Sequence, residues 1–393
     1  MGKYCFDEII DRKNTNSLKY DFAAERGMPQ DLLPLWVADM DFKTPKEVTE
    51  ALVAKAEHGI FGYSEPFEDY YEALRKWFSA HFGWEPESSG FVLSCSVVFS
   101  ICNLIEAQTE PGDAVIINQP VYYPFSEAIR DNGRKLVSSD LKYSDGKYGI
   151  DFEDFEKKIE ENNVKLYILC NPHNPVGRVW RRDELEEISR IYRKHNVFVV
   201  SDEIHADFIY KGYKFTSYAS LGEEALRTAA ICTSPSKTFN LAGLHNANTY
   251  IYDKGVRARF KQVQNRKGYS QSNIMGIIAC RAAYEHGEEW HRELMEYLEG
   301  NLEFVRDYLN ENIPQIRLVE PEGTYLIWLD CSGLGLTDTE LNRLIVNDAR
   351  LWLDAGNIFG SSGKQFERIN IACPRSIIKE ALERLKTAVC KGK

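Results

Sequence analysis

Polar side chains that can do chemistry follow five short apolar runs of the chain. The polar stretches are Ser94–Ser96, Gln119–Tyr123, Asn171–Gly177, Ser201–His205 and Ser234–Thr238. Together they supply hydroxyls, an amide, a carboxylate, an imidazole and an amine. In open parallel sheets, ligands bind beyond the carboxyl ends of the strands. We therefore expect these side chains to converge on one site.

Serines in the first and last of these stretches predict a site for a phosphate. Ser96 precedes a predicted helix. Together with the backbone amides of Val97 and Val98, it would hold an anion at the positive end of the helix dipole. Ser234 and Ser236 would add two hydroxyl donors to the same anion.

A carboxylate and an amine in the same set complete the predicted chemistry. Asp202 ends an apolar run, so its carboxylate needs a cationic partner. Lys237 lies among small hydroxyl residues, and a partly desolvated lysine has a lowered pKa that suits Schiff-base formation. A phosphate site, a buried aspartate and a Schiff-base lysine together match the needs of one cofactor, pyridoxal 5′-phosphate.

Each of these motifs has a simpler interpretation when it is taken alone. Most lysines in a Ser-x-Ser-Lys sequence are solvated, and an aspartate after an apolar run is often a helix cap. An Asn-Pro-x-Asn-Pro sequence is mostly a turn. The order of the motifs, and their position after predicted strands, favours the shared site.

The elements that must position these side chains are strands that alternate with helices. The candidate strands are apolar runs, several of them rich in valine and isoleucine, as is typical of parallel strands buried on both faces. They are Phe91–Leu93, Ala114–Asn118, Lys165–Cys170, Val197–Ser201, Thr228–Thr233 and Ala247–Tyr252. Helical spacing of apolar residues appears at 97–105, at 152–159 after Asp151 as N-cap, and at 185–191. The pattern predicts an α/β fold with a mainly parallel sheet and helices on both faces.

The pattern of the sequence changes after about residue 286. Apolar residues three or four apart, from Trp290 to Leu309, predict a long amphipathic helix. A smaller α+β unit follows, with candidate strands at Tyr325–Leu329 and Arg368–Ile371. We therefore predict a large domain at residues 46–285 and a small domain built from residues 1–45 and 286–393.

Charge and composition exclude several classes of function. The 393 residues carry a net charge of −11, which argues against a nucleic-acid or anionic-membrane binder. The uncharged run 88–105 contains several serines and fits a buried strand, turn and helix better than a membrane span. Nine cysteines without a C-x-x-C motif, and an N-terminus without an apolar signal core, favour a reduced cytoplasmic protein. The scattered histidines show no ligand spacing, so we expect no metal.

Several motifs together resemble a known family, and the likeness covers essentially the whole chain. Three motifs match, in order, the class I/II aminotransferase family of fold-type-I pyridoxal-phosphate enzymes: Asn171–Gly177, Ser201–Ile204 and Ser234–Lys237. Four look like the carbon–sulfur β-lyases, cystathionine β-lyases of the maltose-regulon-modulator type: Leu35–Phe42, Phe61–Tyr63, Ser201–His205 and Arg368–Arg375. The resemblance implies the transferase fold type I, with a mainly parallel seven-stranded sheet in a large domain and a smaller α+β domain.

The resemblance also implies catalytic roles for three residues. Lys237 would hold the aldehyde of the cofactor as a Schiff base. Asp202 would pair with the ring nitrogen and keep it protonated, and Tyr122 would stack on the face of the ring.

Further residues are implied to bind the cofactor and the substrate. Asn174 would hold the ring hydroxyl oxygen with His205 nearby, and Arg368 would bind the substrate carboxylate as a bidentate fork. The residues implied to hold the phosphate are Ser96, Val97, Ser234, Ser236 and, from the other subunit of a homodimer with shared sites, Tyr63.

Two departures from the family pattern and two open choices bear on the site. Cys95 stands where relatives usually have a glycine or proline before the phosphate-binding serine. His245 stands where many relatives have an arginine that clamps the phosphate. Arg375 is a second candidate for the substrate carboxylate, although the strand-like run around Arg368 favours Arg368. Trp36 and Tyr325 would either line the substrate pocket or pack the small domain.

The lyase-type motifs predict β-elimination from an S-substituted L-cysteine such as cystathionine, giving pyruvate, ammonia and a thiol. In that reaction the freed Lys237 would remove the α-proton as a general base. An aminotransferase on the same scaffold is the alternative. A second arginine that binds a dicarboxylate side chain would distinguish an aminotransferase from the lyase, but the sequence alone does not identify such an arginine. A third interpretation, from another class, is a protein that binds a transcription regulator through a surface outside the active site.

Overall fold

The protein is an α/β structure organised around a seven-stranded sheet. The structure, a computed structural model, describes residues 2–391. Its strands are β1 Leu33–Pro34, β2 Phe91–Ser94, β3 Ala114–Ile117, β4 Lys135–Ser138, β5 Lys142–Ser144, β6 Lys147–Gly149, β7 Leu166–Cys170, β8 Phe198–Asp202, β9 Ala229–Thr233, β10 Ala247–Ile251, β11 Arg317–Val319, β12 Leu326–Asp330, β13 Leu351–Trp352, β14 Asp354–Ala355 and β15 Phe366–Asn370. Its α-helices are α1 Lys46–His58, α2 Glu68–Phe82, α3 Val97–Gln108, α4 Pro124–Asp131, α5 Phe152–Glu161, α6 Arg182–His195, α7 Glu223–Arg227, α8 Pro235–Thr238, α9 Lys254–Arg266, α10 Ile274–His286, α11 Glu288–Asn312, α12 Asp338–Arg343 and α13 Arg375–Lys391.

The large sheet has the strand order β2-β10-β9-β8-β7-β3-β4. Neighbours from β9 to β4 are parallel, whereas β10 is antiparallel to both of its neighbours. It follows that β10 is the one reversed strand of this sheet. Every residue of β7, β8 and β9 is buried, which explains their continuous apolar sequences. The predicted mainly parallel seven-stranded sheet is confirmed.

The six strands predicted for this sheet are all present, and their ends agree with the prediction to within one residue. The sequence pattern does not predict the seventh strand, β4. It lies at the edge of the sheet, pairs only with β3, and buries only Val137. Because an edge strand needs no continuous apolar run, its sequence gives little signal.

Helix starts follow the capping signals in the sequence. The Oγ of Ser96 accepts a hydrogen bond from the N–H of Phe99 (3.1 Å) at the start of α3. Asp151, the predicted N-cap, accepts from the N–H of Asp154 at the start of α5.

The run 88–105 forms β2 and most of α3, as predicted, and the long amphipathic helix is α11. Between residues 2 and 391 no helix has the length and apolar character needed to cross a membrane.

A second, antiparallel sheet follows α11 in the chain, with the order β11-β12-β15-β14. The strands predicted near residues 325 and 368 are its two central strands, β12 and β15. The N-terminal segment also reaches this part of the protein, because β1 pairs in parallel with β13. The division into two domains at the stated boundaries stays a prediction.

A buried ion cluster fixes the loop that follows β7. Arg178 is 9% exposed and donates to the carboxylates of Glu184 and Glu322 at 2.8–3.0 Å, and to the carbonyl of Tyr148. Glu184 lies in the first turn of α6, and Glu322 lies shortly before β12. The loop that carries Asn174 is therefore tied to both sheets.

Loss of this arginine should destabilise the protein strongly. Arg178→Met leaves the largely buried Glu322 without its ion-pair partner and Glu184 with only the exposed Arg181 at 3.4 Å, so the free energy of unfolding should fall by about 3 kcal/mol. Arg182→Met is the matched control, because its pair with Glu186 is exposed and should contribute about 0.5 kcal/mol or less. Urea unfolding measures both values. Equal losses in the two variants would contradict a structural role for the buried cluster.

Candidate active site

A cavity of about 200 Å³ lies at the carboxyl ends of the parallel strands. Nine of the eleven predicted site residues line it: Ser96, Val97, Tyr122, Asn174, Asp202, His205, Ser234, Ser236 and Lys237. Arg368 lies beside it, in contact with Asn174 (3.0 Å). Tyr63 does not line this cavity. The strand ends therefore converge on one cavity, and the roles of the individual residues stay predictions.

One part of the cavity is suited to an anion. It is bordered by Val97 and Val98, whose N–H groups in the first turn of α3 have no partner within the helix. The Oγ of Ser234 donates to the carbonyl of Asn246 (2.6 Å), so its own proton is already used. Within residues 2–391, the hydroxyl of Ser236 makes no hydrogen bond, and the buried Nδ2 of Asn246 has no partner. Ser236 and Asn246 therefore have free donors, whereas Ser234 does not.

His245 lines the same cavity. It has a positive φ of 50° at the end of a short 3-10 turn, next to Asn246. His245 thus faces the site.

The carboxyl group of Asp202 lies at the end of β8 and is 4% exposed. Its Oδ1 accepts a hydrogen bond from the N–H of Ile204 (3.1 Å). Burial raises the pKa of Asp202 to about 7, although the N–H of Ile204 and the charge of Lys237 oppose the shift. A cationic N–H donor placed in the cavity would return this group to its ionised form.

The amine of Lys237 is withdrawn from water. Burial lowers its pKa to about 8, and the charge of Arg368 adds to this effect, while Asp39 and Asp202 oppose it. The Nζ donates a hydrogen bond to the carbonyl of Ala38 (2.9 Å). The lowered pKa enlarges the neutral fraction of this amine near physiological pH, and the neutral form can act as a nucleophile or as a general base.

A buried carboxylate fixes the turn that carries Lys237. Asp207 accepts hydrogen bonds from Thr238 Oγ1 (2.6 Å) and from Trp77 Nε1 (2.9 Å). Ser234 caps the same turn by accepting from the N–H of Ser236 (3.1 Å). Sequence reasoning missed Asp207, because nothing in its local pattern separates it from an exposed aspartate.

The main chain around Ala38 connects the two sheets at the site. Its carbonyl accepts from Tyr325 Oη as well as from Lys237 Nζ, both at 2.9 Å. Asn370 Nδ2 donates to the carbonyls on either side of Ala38 (2.7 and 2.6 Å), and Asn240 bonds to the main chain at residues 40 and 42. Tyr325 is thus bonded to the same carbonyl as Lys237, but it does not line the cavity, and its two predicted roles stay open. Asn370 could have been found from its place two residues after Arg368, on the same strand face.

Arg368 is 3% exposed and held from several sides. Its Nη1 donates to Asn174 Oδ1 and its Nη2 to the carbonyl of Trp36, both at 3.0 Å, and the same Nη2 forms an ion pair with Asp354. Its buried Nε has no partner among residues 2–391. Arg375 instead donates to Asn301 (3.1 Å) at the start of α13 and does not line the cavity. The geometry thus favours Arg368 for a substrate carboxylate.

Two aromatic residues of the site stay uncharged. Burial lowers the pKa of His205 well below its ordinary value, and the charges of Lys237 and Arg368 add to the shift. Burial likewise raises the pKa of Tyr122 far above neutrality. The Nδ1 of His205 has no hydrogen-bond partner within residues 2–391, so it is available to a bound group.

Tyr63 does not reach the site within one chain. It is 94% exposed and borders a separate cavity with Phe61 and the segment 268–275. Any contribution of Tyr63 to the site would have to come from a second copy of the chain.

The residues present fit pyridoxal 5′-phosphate. Free N–H and hydroxyl donors suit its phosphate, the buried carboxyl of Asp202 suits a ring nitrogen, and the desolvated amine of Lys237 suits its aldehyde. Among residues 2–391, no three histidine, cysteine, aspartate or glutamate side chains form a group that could hold a metal ion.

Known proteins share this architecture along the whole chain. The profile of the family described as aminotransferase class I and II matches residues 30–385. Cystathionine beta-lyase PatB of Bacillus subtilis (strain 168) is 39% identical over 384 residues, which covers 98% of this chain and 99% of that protein. Protein MalY of Escherichia coli (strain K12) is 33% identical over 387 residues, with 98% of each chain covered.

A solved structure also resembles this protein along nearly the whole chain. Cystalysin from Treponema denticola, whose crystal structure contains a pyridoxal 5′-phosphate cofactor, matches with a TM-score of 0.96 and 37% identity. The match covers 99% of this chain and 100% of that chain. The expected fold type I and the likeness to the carbon–sulfur β-lyase subgroup are thereby confirmed. The chain belongs to the aminotransferase class I and II family.

Proposed function

We propose that the protein is a pyridoxal-phosphate-dependent carbon–sulfur β-lyase. It cleaves S-substituted L-cysteines, cystathionine among them, to pyruvate, ammonia and a thiol. The observation that carries the proposal is a desolvated amine, Lys237, that shares one cavity with the buried carboxyl of Asp202. Full-length likeness to proteins named cystathionine beta-lyase and cystalysin supports the reaction type.

The chain's own residues bind and orient the cofactor. Pyridoxal phosphate, once bound, supplies an electron sink for the electron pair left at Cα after proton removal. Asp202 accepts a hydrogen bond from the ring nitrogen and keeps it protonated. Asn174 uses its Nδ2 for the ring oxygen, since its Oδ1 accepts from Arg368. The other residues assigned to the cofactor are His205 beside Asn174, Tyr122 against the ring, and Ser96, Val97 and Ser236 at the phosphate, where Ser234 caps the turn that carries Ser236.

Lys237 also moves the proton. The Nζ of Lys237 would take the α-proton of the bound substrate as a general base. The carbonyl of Ala38 offers this amine a fixed acceptor in the site. Arg368 holds the substrate carboxylate, and the thiolate leaves from Cβ.

An aminotransferase is the second candidate, and the matched family profile favours it. Both reactions start with removal of the same α-proton by Lys237, so the site geometry serves either one. They differ in product, because an aminotransferase keeps the side chain and needs a keto acid to accept the amino group.

A homodimer with shared sites is part of the proposal. Four large apolar side chains lie exposed within eight residues: Ile60 (65%), Phe61 (58%), Tyr63 (94%) and Phe67 (81%). Such a patch marks an interaction surface, and a second copy of the chain would cover it and bring Tyr63 to the partner's phosphate site. A cytoplasmic location is also proposed, and the nine free thiols support it.

The reaction can be tested through its products. With L-cystathionine or S-ethyl-L-cysteine, the holoenzyme should release pyruvate and thiol in equal amounts without added keto acid. Lys237→Ala should lower kcat by about 10²–10⁴-fold, because the general base is lost. Lys76→Ala changes an exposed lysine of α2 and should leave kcat unchanged. Amino transfer to a keto acid, without pyruvate, would contradict the lyase.

The pH dependence of labelling tests the state of Lys237. A pKa of about 8, against 10.5 for an ordinary lysine, means that the neutral amine appears at lower pH. In cofactor-free protein, reductive methylation of Lys237 should therefore rise as the pH passes about 8 and then level off. Nα-acetyl-lysine in the same solution should still react faster with each step up to about pH 10. Mass spectrometry of the peptide measures the profile, and a profile that follows the free amine would contradict the desolvation.

Subunit mixing tests the shared site. In a mixture of Tyr63→Ala and Lys237→Ala chains, each hybrid dimer has one site with both native residues and one site with neither. Random mixing makes half of the dimers hybrid, so activity should recover to about a quarter of the wild-type value. If the mixture gives only the average of the two separate variants, Tyr63 does not act across an interface.

A further inference from the structure

Arg26 is an exposed arginine near the mouth of the site that the proposed mechanism does not use. It ends a 3-10 turn, Ala24–Arg26, and its guanidinium lies over the indole of Trp36, 5.1 Å from the ring centroid. The side chain makes no ion pair and no hydrogen bond with the rest of residues 2–391. A guanidinium stacked on an aromatic ring keeps its N–H edge free for a planar anion.

Trp36 links this arginine to the carboxylate-binding arginine. Its carbonyl accepts from Arg368 Nη2 (3.0 Å), while its indole stacks on Trp352 with 4.6 Å between ring centroids. Both the main-chain carbonyl and the indole ring of Trp36 are therefore held in place. Because both guanidinium groups contact Trp36, their separation is at most about 15 Å.

Tyr123 lies between the cavity wall and the ring that packs against Arg368. Its ring lies 5.7 Å from Tyr122 of the cavity wall and 6.0 Å from Phe359, over which Arg368 lies. Burial raises the pKa of Tyr123, and Asp354 and Glu127 add to the shift, while the charges of Arg368 and Arg26 oppose it. The charges of both arginines therefore act on the hydroxyl of Tyr123.

We propose that Arg26 binds a carboxylate at the far end of the substrate's S-substituent. The inference rests on the proposed lyase function and names its substrate class: thioethers of L-cysteine with a distal acid group. Arg368 holds the carboxylate next to the reacting Cα. Arg26 takes the second carboxylate, about one thioether chain away. Cystathionine has this shape, with an amino-acid group at each end of a thioether.

The experiment compares two substrates that differ at the distal end. The ratio of kcat/KM for L-cystathionine to kcat/KM for S-ethyl-L-cysteine is measured in wild-type holoenzyme, Arg26→Met and Arg26→Lys. Arg26→Met should lower the ratio about tenfold, mainly through the KM for cystathionine, because a charge-assisted bidentate contact is lost. Arg26→Lys should restore part of the ratio. Arg343→Met, at an exposed arginine of α12, is the matched control and should leave the ratio unchanged.

Ionic strength separates a charge contact from a packing effect. The wild-type ratio should fall as salt rises, and that dependence should disappear in Arg26→Met. An unchanged ratio in Arg26→Met, with an active wild type, would overturn the proposal. An equal fall for both substrates would also overturn it, since Arg26 would then serve the site as a whole.

If the protein is not a carbon–sulfur lyase, the experiment gives a result that differs from failure of the Arg26 proposal. In that case wild-type enzyme forms no pyruvate from either substrate. The same ratio is then taken from dissociation constants, read from the cofactor absorbance during titration with the two amino acids. A tenfold fall in Arg26→Met would still support distal carboxylate binding, and no fall would overturn it.

Discussion

The withdrawal of one amine from water is the constraint on which the site depends. A lysine with a pKa of about 8 instead of 10.5 makes the folded state less favourable at neutral pH, by an amount on the order of 3 kcal/mol. This cost is fully present below pH 8 and disappears as the pH rises to 10.5, because the amine is then neutral in both states. The surrounding structure offsets it. Asp207 fixes the turn through Thr238, and the carbonyl of Ala38 gives the amine one acceptor.

That acceptor belongs to a segment that both sheets hold. Asn370 on β15 bonds to the carbonyls on either side of Ala38, and Asn240, three residues after Lys237, bonds to the same segment from the large sheet. Arg368, two residues before Asn370, binds the carbonyl of Trp36 and Asn174. The groups proposed to hold the substrate carboxylate and to move its proton are thus connected through one stretch of main chain. A small movement of this main-chain stretch would change the positions of both groups.

The sequence predicts those elements whose residue pattern is local. The buried strands β7, β8 and β9 have continuous apolar sequences, and polar residues after each strand end are visible because one edge of a parallel sheet collects them. Ala38, Asn240 and Asp207 could not be found in this way, since a main-chain carbonyl has no side-chain signal and a buried aspartate has no distinctive neighbours. The edge strand β4 was missed because only Val137 is buried. The structure also shows that the proton of Ser234 is committed to Asn246, which no spacing argument could reveal.

The most direct test of the account is the identity of the lysine that carries the cofactor. Borohydride reduction of the holoenzyme fixes the bond between amine and aldehyde, and peptide mass mapping then locates the added mass. The account predicts that the mass lies on the peptide containing Lys237, the lysine whose amine is desolvated in the cavity. The same mass on any other lysine, or no fixed mass in a protein that binds the cofactor, would contradict it.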